Sequence, residues 1–180
     1  LPANIKKKDR QEMPISTYQA SVPPVVQMLK SISAVLDKAA AHCEQRKIDP
    51  AVLVSYRLAP DMIPLSGQIQ IMADQAKGAI SRLAGVDIPS YADTETTIPE
   101  LQARIAKTLA YVQSFKPEQF DGAEDRDVVM KIGSGEMKFK GSQYLFHFFF
   151  PNFYFHATTA YDILRHCGVT IGKRDFIGGI

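Results

Sequence analysis

Cysteine is scarce in this chain: Cys43 and Cys167 are the two in 180 residues. Two thiols so widely spaced make neither a disulfide framework nor a metal-binding motif. Cys43 lies on an apolar helical stripe and reads as a small buried hydrophobe. Cys167 sits at a helix end, where the negative end of the dipole raises a thiol pKa. Charge of one sign is also lacking. Twenty-one basic residues face 19 acidic ones, a net +2, and no basic face alternates with aromatics, so nucleic acid is not an expected partner. No apolar run reaches 18 residues and no apolar leader stands at the N-terminus. The chain therefore reads as cytoplasmic, with no membrane span. Internal repeats, low-complexity segments and the G-x-S-x-G, P-loop and H-E-x-x-H signatures are all missing, so no catalytic motif announces a reaction.

What is present is a series of long amphipathic helices. Residues 1–12, with Lys6, Lys7 and Lys8, read as a solvated N-terminal tail. Organised pattern begins after Met13, and residues 13–180 are expected to form one domain. Ser16-Thr17-Tyr18-Gln19 is a capping box. Behind it Val22, Val25, Leu29, Ile32, Leu36, Ala39 and Cys43 repeat at helical spacing over about 30 residues. Pro23 and Pro24 predict an irregular or kinked start to that helix. Asp49-Pro50 ends it, and residues 50–58 suit a short connecting helix. A second helix carries Leu65, Ile69, Met72, Ala73, Ala76, Ile80 and Leu83, with Gly85 as its stop. After a loop over residues 86–96, the capping box Thr97-Ile98-Pro99-Glu100 opens a third, with Ile98, Leu101, Ile105, Thr108, Val112 and Phe115 on one face.

The period then changes. Val128, Met130 and Ile132, then Met137 and Phe139, alternate around Gly133-Ser134-Gly135, which predicts a β-hairpin. A fourth helix is expected from about Ser142 to His166, kinked or broken at Pro151. The segment from Ile171 to Ile180 is expected to be irregular. The fold class is thus all-α: a four-helix bundle with a β-hairpin between helices three and four.

The candidate site lies in the fourth helix. Phe146, Phe148, Phe149, Phe150, Phe153 and Phe155 crowd there around Asn152 and His156. Those two polar side chains stand one turn apart in the most apolar part of the chain. Buried polar groups need partners, so a pocket is expected around them. On helix two, Gln70 is the candidate third member of a ligand-binding cluster His156, Asn152 and Gln70. Asp74 reads as a surface acid near Lys77. His147 is expected to face away from His156, His42 to sit at the core margin, and His166 to cap its helix. The aromatic block exceeds what one stripe can bury, which suits contact with bundle, hairpin and a second subunit in a homodimer.

Several strings carry a resemblance. They are Ser16-Thr17-Tyr18-Gln19-Ala20-Ser21-Val22-Pro23, Leu58-Ala59-Pro60-Asp61-Met62, Arg82-Leu83-Ala84-Gly85, and the long closing string from Pro151-Asn152-Phe153-Tyr154-Phe155-His156 to Val169. Over roughly residues 13–178 the chain resembles an uncharacterised bacterial family of unknown function within the DinB/YfiT-like bundles. The resemblance implies a metalloenzyme superfamily. Its members place three His around a divalent metal, one from helix two and an i, i+4 pair near the last helix. Some are metal-dependent transferases or hydrolases. Here the pair becomes Asn152 and His156, and helix two has no His. Three readings stay open. In the first, a bundle without a metal cofactor carries a small-ligand pocket at His156. In the second, a divalent-metal enzyme, with Zn or Ni, uses unconventional ligands such as His156, Asn152 and Asp74. In the third, the chain is a structural or stress-related homodimer.

Overall fold

Four helices carry the core in a computed structural model that describes residues 15–133 and 135–179. The expected tail over residues 1–12 lies outside those residues, as does Ser134 of the hairpin turn. Helix α1 spans Thr17–Arg46, and α2 is the short Pro50–Val54. Helix α3 spans Leu65–Ala84 and α4 spans Ile98–Gln113. Strands β1 (Asp127–Ile132) and β2 (Gly135–Lys140) follow. The last rod opens with one turn at Gly141–Gln143, runs through a π-helical segment at Tyr144–Phe149, and continues as α5, Phe150–His166. A final short helix, α6, spans Lys173–Ile177. Around the bundle α1 packs on α4, α4 on α3 and α3 on α5, with α5 closing back on α1.

The helix starts and stops follow local chemistry. Ser16 and Gln19 form a reciprocal capping box at α1, and Thr97 with Glu100 form another at α4. Each satisfies two backbone donors that the first turn would otherwise leave open. Gly85 ends α3 at φ 71, a left-handed angle that favours glycine. The predicted apolar stripes of α1, α3 and α4 are buried at every position named above. Full burial of each Leu, Ile, Val or Met contributes roughly 1.5–3 kcal/mol against the entropy of ordering the chain.

Two expectations change. Helix α1 runs unbroken through Pro23 and Pro24. They stand in its second turn, and packing of Val22 and Val25 on both sides of them holds the helix across the two missing donors. The C-terminal segment is only partly irregular. Helix α6 is fastened to α1 by Lys38 Nζ to Asp175 at 2.6 Å and by Gln27 Nε2 donating to the Ile177 carbonyl at 2.8 Å.

The hairpin pairs Asp127 with Lys140 and Met130 with Met137 in antiparallel register. Alone it would be marginal. It leans on the bundle through buried Val128 and through Phe139, whose ring lies 5.5 Å from that of Phe148. Gly141 turns the chain into the last rod, and the Ala123 carbonyl leaves no room there for a Cβ. The expected break near Pro151 takes the form of the π-helical segment. The Phe150 N–H reaches Leu145 O, five residues back. Widening the helix just ahead of Pro151 relieves the clash between its ring and the preceding turn.

Candidate functional site

His156 is half-buried on α5, and its Nδ1 lies 2.8 Å from Gln68 Oε1 on α3. Gln68 is 1% exposed, and its Nε2 donates to the Ile63 carbonyl at 3.3 Å. The amide is therefore held at both ends. Burial pushes the His156 pKa below its usual value, which keeps the ring neutral near pH 7. Asn152 is also half-buried, but its Nδ2 turns along its own helix and donates to the Phe148 carbonyl at 2.7 Å. That bond braces the carbonyl beside the π-helical segment. The Phe155 ring stands edge-on to the imidazole at 5.3 Å and is 55% exposed.

The partner of His156 is thus Gln68, and the expected role of Gln70 needs correcting. Gln70 Nε2 donates to Glu95 at 3.1 Å on the α4 side of α3. Two helical positions differ by about 200° of rotation, so neighbours two apart serve opposite flanks. Helix α3 is packed on both flanks, with α5 on one and α4 on the other. Asp74 belongs to the Gln70 side. Its Oδ1 is 3.0 Å from Lys77 Nζ and 2.6 Å from Arg104 Nη2. The surface acid expected there is half solvent-facing, with a side chain 37% exposed.

That flank holds a second polar cluster. The Arg104 side chain, 1% exposed, bonds Glu95 at 3.0 Å and Asp93 at 2.9 Å in addition to Asp74. It also donates to the Ala92 carbonyl at 3.0 Å. Burial works against its charge, but Glu95, Asp74 and Asp93 overcome that and raise its pKa. Glu95 is likewise desolvated, which pushes its pKa up. Its own backbone amide, Arg104 and Gln70 outweigh that and leave it below the ordinary carboxylate range. The Tyr91 ring packs beneath Lys107 at 3.9 Å and Arg104 at 5.6 Å. Together these contacts strap the loop between α3 and α4 onto both helices.

Gln68 and Arg104 were the residues hardest to see from the chain alone, yet both carry a signal. Gln68 falls three after Leu65 and four before Met72, inside the apolar stripe. Arg104 falls three after Leu101 and four before Thr108, inside the next one. A polar residue at such a position is buried by its helix and must find a partner.

The other candidates are placed as follows. His147 is exposed, and His42 is half-buried at the margin. His166 is exposed with its ring 5.5 Å from that of Tyr56. Cys43 is buried. The Cys167 thiol pKa is raised, by burial first and then by the charge of nearby Cys43. A surface groove of about 740 Å³ lies between α1 and α6 and shares no residue with the His156 neighbourhood. No helix among the described residues is long and apolar enough to cross a membrane.

The donors at His156 do not fit the three-His metal centre. They are one imidazole, already bonded through Nδ1, and two amides. A stable Zn site takes three or four N, S or carboxylate ligands. No group of three His, Cys, Asp or Glu close enough to hold an ion occurs among the described residues.

Comparison with known proteins agrees with this architecture. Residues 17–177 match the model of the domain of unknown function DUF1993. The fold is similar to the crystal structure of a DinB family member protein from Shewanella denitrificans. The two share 39% sequence identity and a TM-score of 0.86, over 91% of this chain and 92% of that one. No curated protein matches the chain. With nearly its whole length accounted for in both sequence and fold, the chain belongs to the DUF1993 family of DinB-like helical bundles.

Proposed function

We propose that this protein is a DinB-like binding domain in which His156, with Asn152 and Gln68, forms a small polar site for a neutral ligand in place of a metal centre. The observation that carries this reading is the fixed imidazole. Gln68 holds Nδ1 at 2.8 Å and is itself anchored to Ile63, so the ring is oriented in advance of any ligand. The cytoplasmic setting suits two unpaired thiols. The test is calorimetric titration of the full chain with Zn and Ni, beside a His156→Ala variant. The expected result is no tight stoichiometric binding by either protein. One equivalent bound tightly by the parent and lost in His156→Ala would restore the metal-dependent transferase or hydrolase reading.

The aromatic surface favours a second reading, self-association. Phe146 is 54% and Phe155 is 55% exposed on the same rod, and a homodimer formed through either ring would take its apolar area out of water. Light scattering at high protein concentration is expected to report twice the chain mass. A species of single-chain mass at that concentration would remove the dimer.

A further inference from the structure

We infer that His156 presents its open ring nitrogen as a hydrogen-bond acceptor, so that the site takes a neutral ligand bearing an O–H or N–H group in preference to an anion; this rests on the binding reading above. The polarity is set by a relay that starts at backbone. The Ile63 carbonyl can only accept, so the Gln68 group facing it at 3.3 Å is the amide nitrogen. That leaves Gln68 Oε1 toward His156 at 2.8 Å. Oε1 can also only accept, so Nδ1 carries the ring proton. In a neutral imidazole the other nitrogen then holds a lone pair.

That nitrogen is open. Among the described residues Nε2 has no hydrogen-bond partner, yet it is not one of the fully buried unpartnered atoms. It therefore meets solvent. One turn earlier, one of the two Asn152 amide N–H groups is engaged by the Phe148 carbonyl, and Oδ1 stands as a second acceptor beside the other N–H. No ion pair among the described residues involves His156, and the lowered pKa keeps the ring from turning into a donor. The exposed Phe155 ring beside the imidazole adds an apolar wall, so a compound that joins a hydroxyl to an aromatic ring matches both features. A carboxylate or phosphate would set an oxygen against the Nε2 lone pair.

The test uses the full chain labelled with 15N at histidine, followed at neutral pH by NMR. The probes are phenol, anisole and benzoate, which share a ring and differ in the polar group. The His156 proton is expected on Nδ1. Phenol is expected to shift Nε2 and to bind roughly fivefold or more tightly than anisole or benzoate, as for one hydrogen bond gained. In Gln68→Glu, a carboxylate opposite Nδ1 stabilises the imidazolium, Nε2 becomes a donor, and the preference reverses toward benzoate. A ring proton on Nε2 in the parent, or a parent that prefers benzoate, overturns the inference while leaving the binding reading in place. Silence from all three probes in both proteins removes the binding reading and the inference with it.

Discussion

Helix α3 supports two polar clusters, and they are built in opposite ways. On its α5 flank, Gln68 and half-buried His156 are joined by one neutral hydrogen bond, and the other ring nitrogen has no partner among the described residues. On its α4 flank, Arg104, Lys77, Asp74, Asp93 and Glu95 carry five formal charges, and the guanidinium is almost fully enclosed. Charge density is often taken to mark a site. Here the dense cluster turns both terminal guanidinium nitrogens on its own acids and the loop it fastens, with the buried Arg104 Nε left without a partner among the described residues, whereas the sparse one offers a lone acceptor.

The contrast can be broken most forcefully at Arg104. Arg104→Met leaves Glu95 and its neighbours without their counter-charge, and the loss of stability in urea is expected to be about 3 kcal/mol. A loss within a few tenths of a kcal/mol would mean that the strap is no more than a surface ion pair. The next effect is smaller and depends on pH. Glu95 has a folded pKa below its unfolded one. Its contribution is therefore present above the unfolded pKa and is lost as the pH falls through the folded one. Glu95→Gln is expected to be less stable than the parent by roughly 1.5 kcal/mol at neutral pH. That gap should close on acidification, as followed by thermal melts.

The smallest effect sharpens the other side. In a double-mutant cycle of Gln68→Leu and His156→Leu, the coupling is expected to be about 1 kcal/mol. Each single change strands a polar partner, so the double change should cost less than the sum of the two. A coupling near zero would mean that the 2.8 Å bond fixes nothing.

Much of this architecture was legible from residues alone. The capping boxes at Ser16 and Thr97, the stop at Gly85 and three apolar stripes each state a local preference that the fold keeps. Pro23 and Pro24 misled because packing around Val22 and Val25 overrides a propensity that acts on one turn. Helix α6 was hidden because five residues carry almost no periodicity, and its hold on α1 comes from Asp175 and the Ile177 carbonyl, which are tertiary contacts. At the site, Asn152 and His156 stood out by their apolar surroundings. Gln70 was placed without regard to the second flank: both margins of α3 are packed, and a stripe drawn for one neighbour says little about the other. The loop strap was invisible because Asp93 and Glu95 meet Arg104 only once α3 and α4 lie side by side.

The central claim, that His156 is a neutral imidazole held by an amide and ready to accept, is tested most directly by a pH titration of its ring nitrogens by NMR. A proton is expected on Nδ1 at neutral pH, with a midpoint below 6.5, because burial disfavours the charged ring. On linkage, the stability tied to this ring is present above that unfolded value and lost as the pH falls through the depressed folded one. A midpoint above 6.5, with both nitrogens protonated near neutrality, would contradict it.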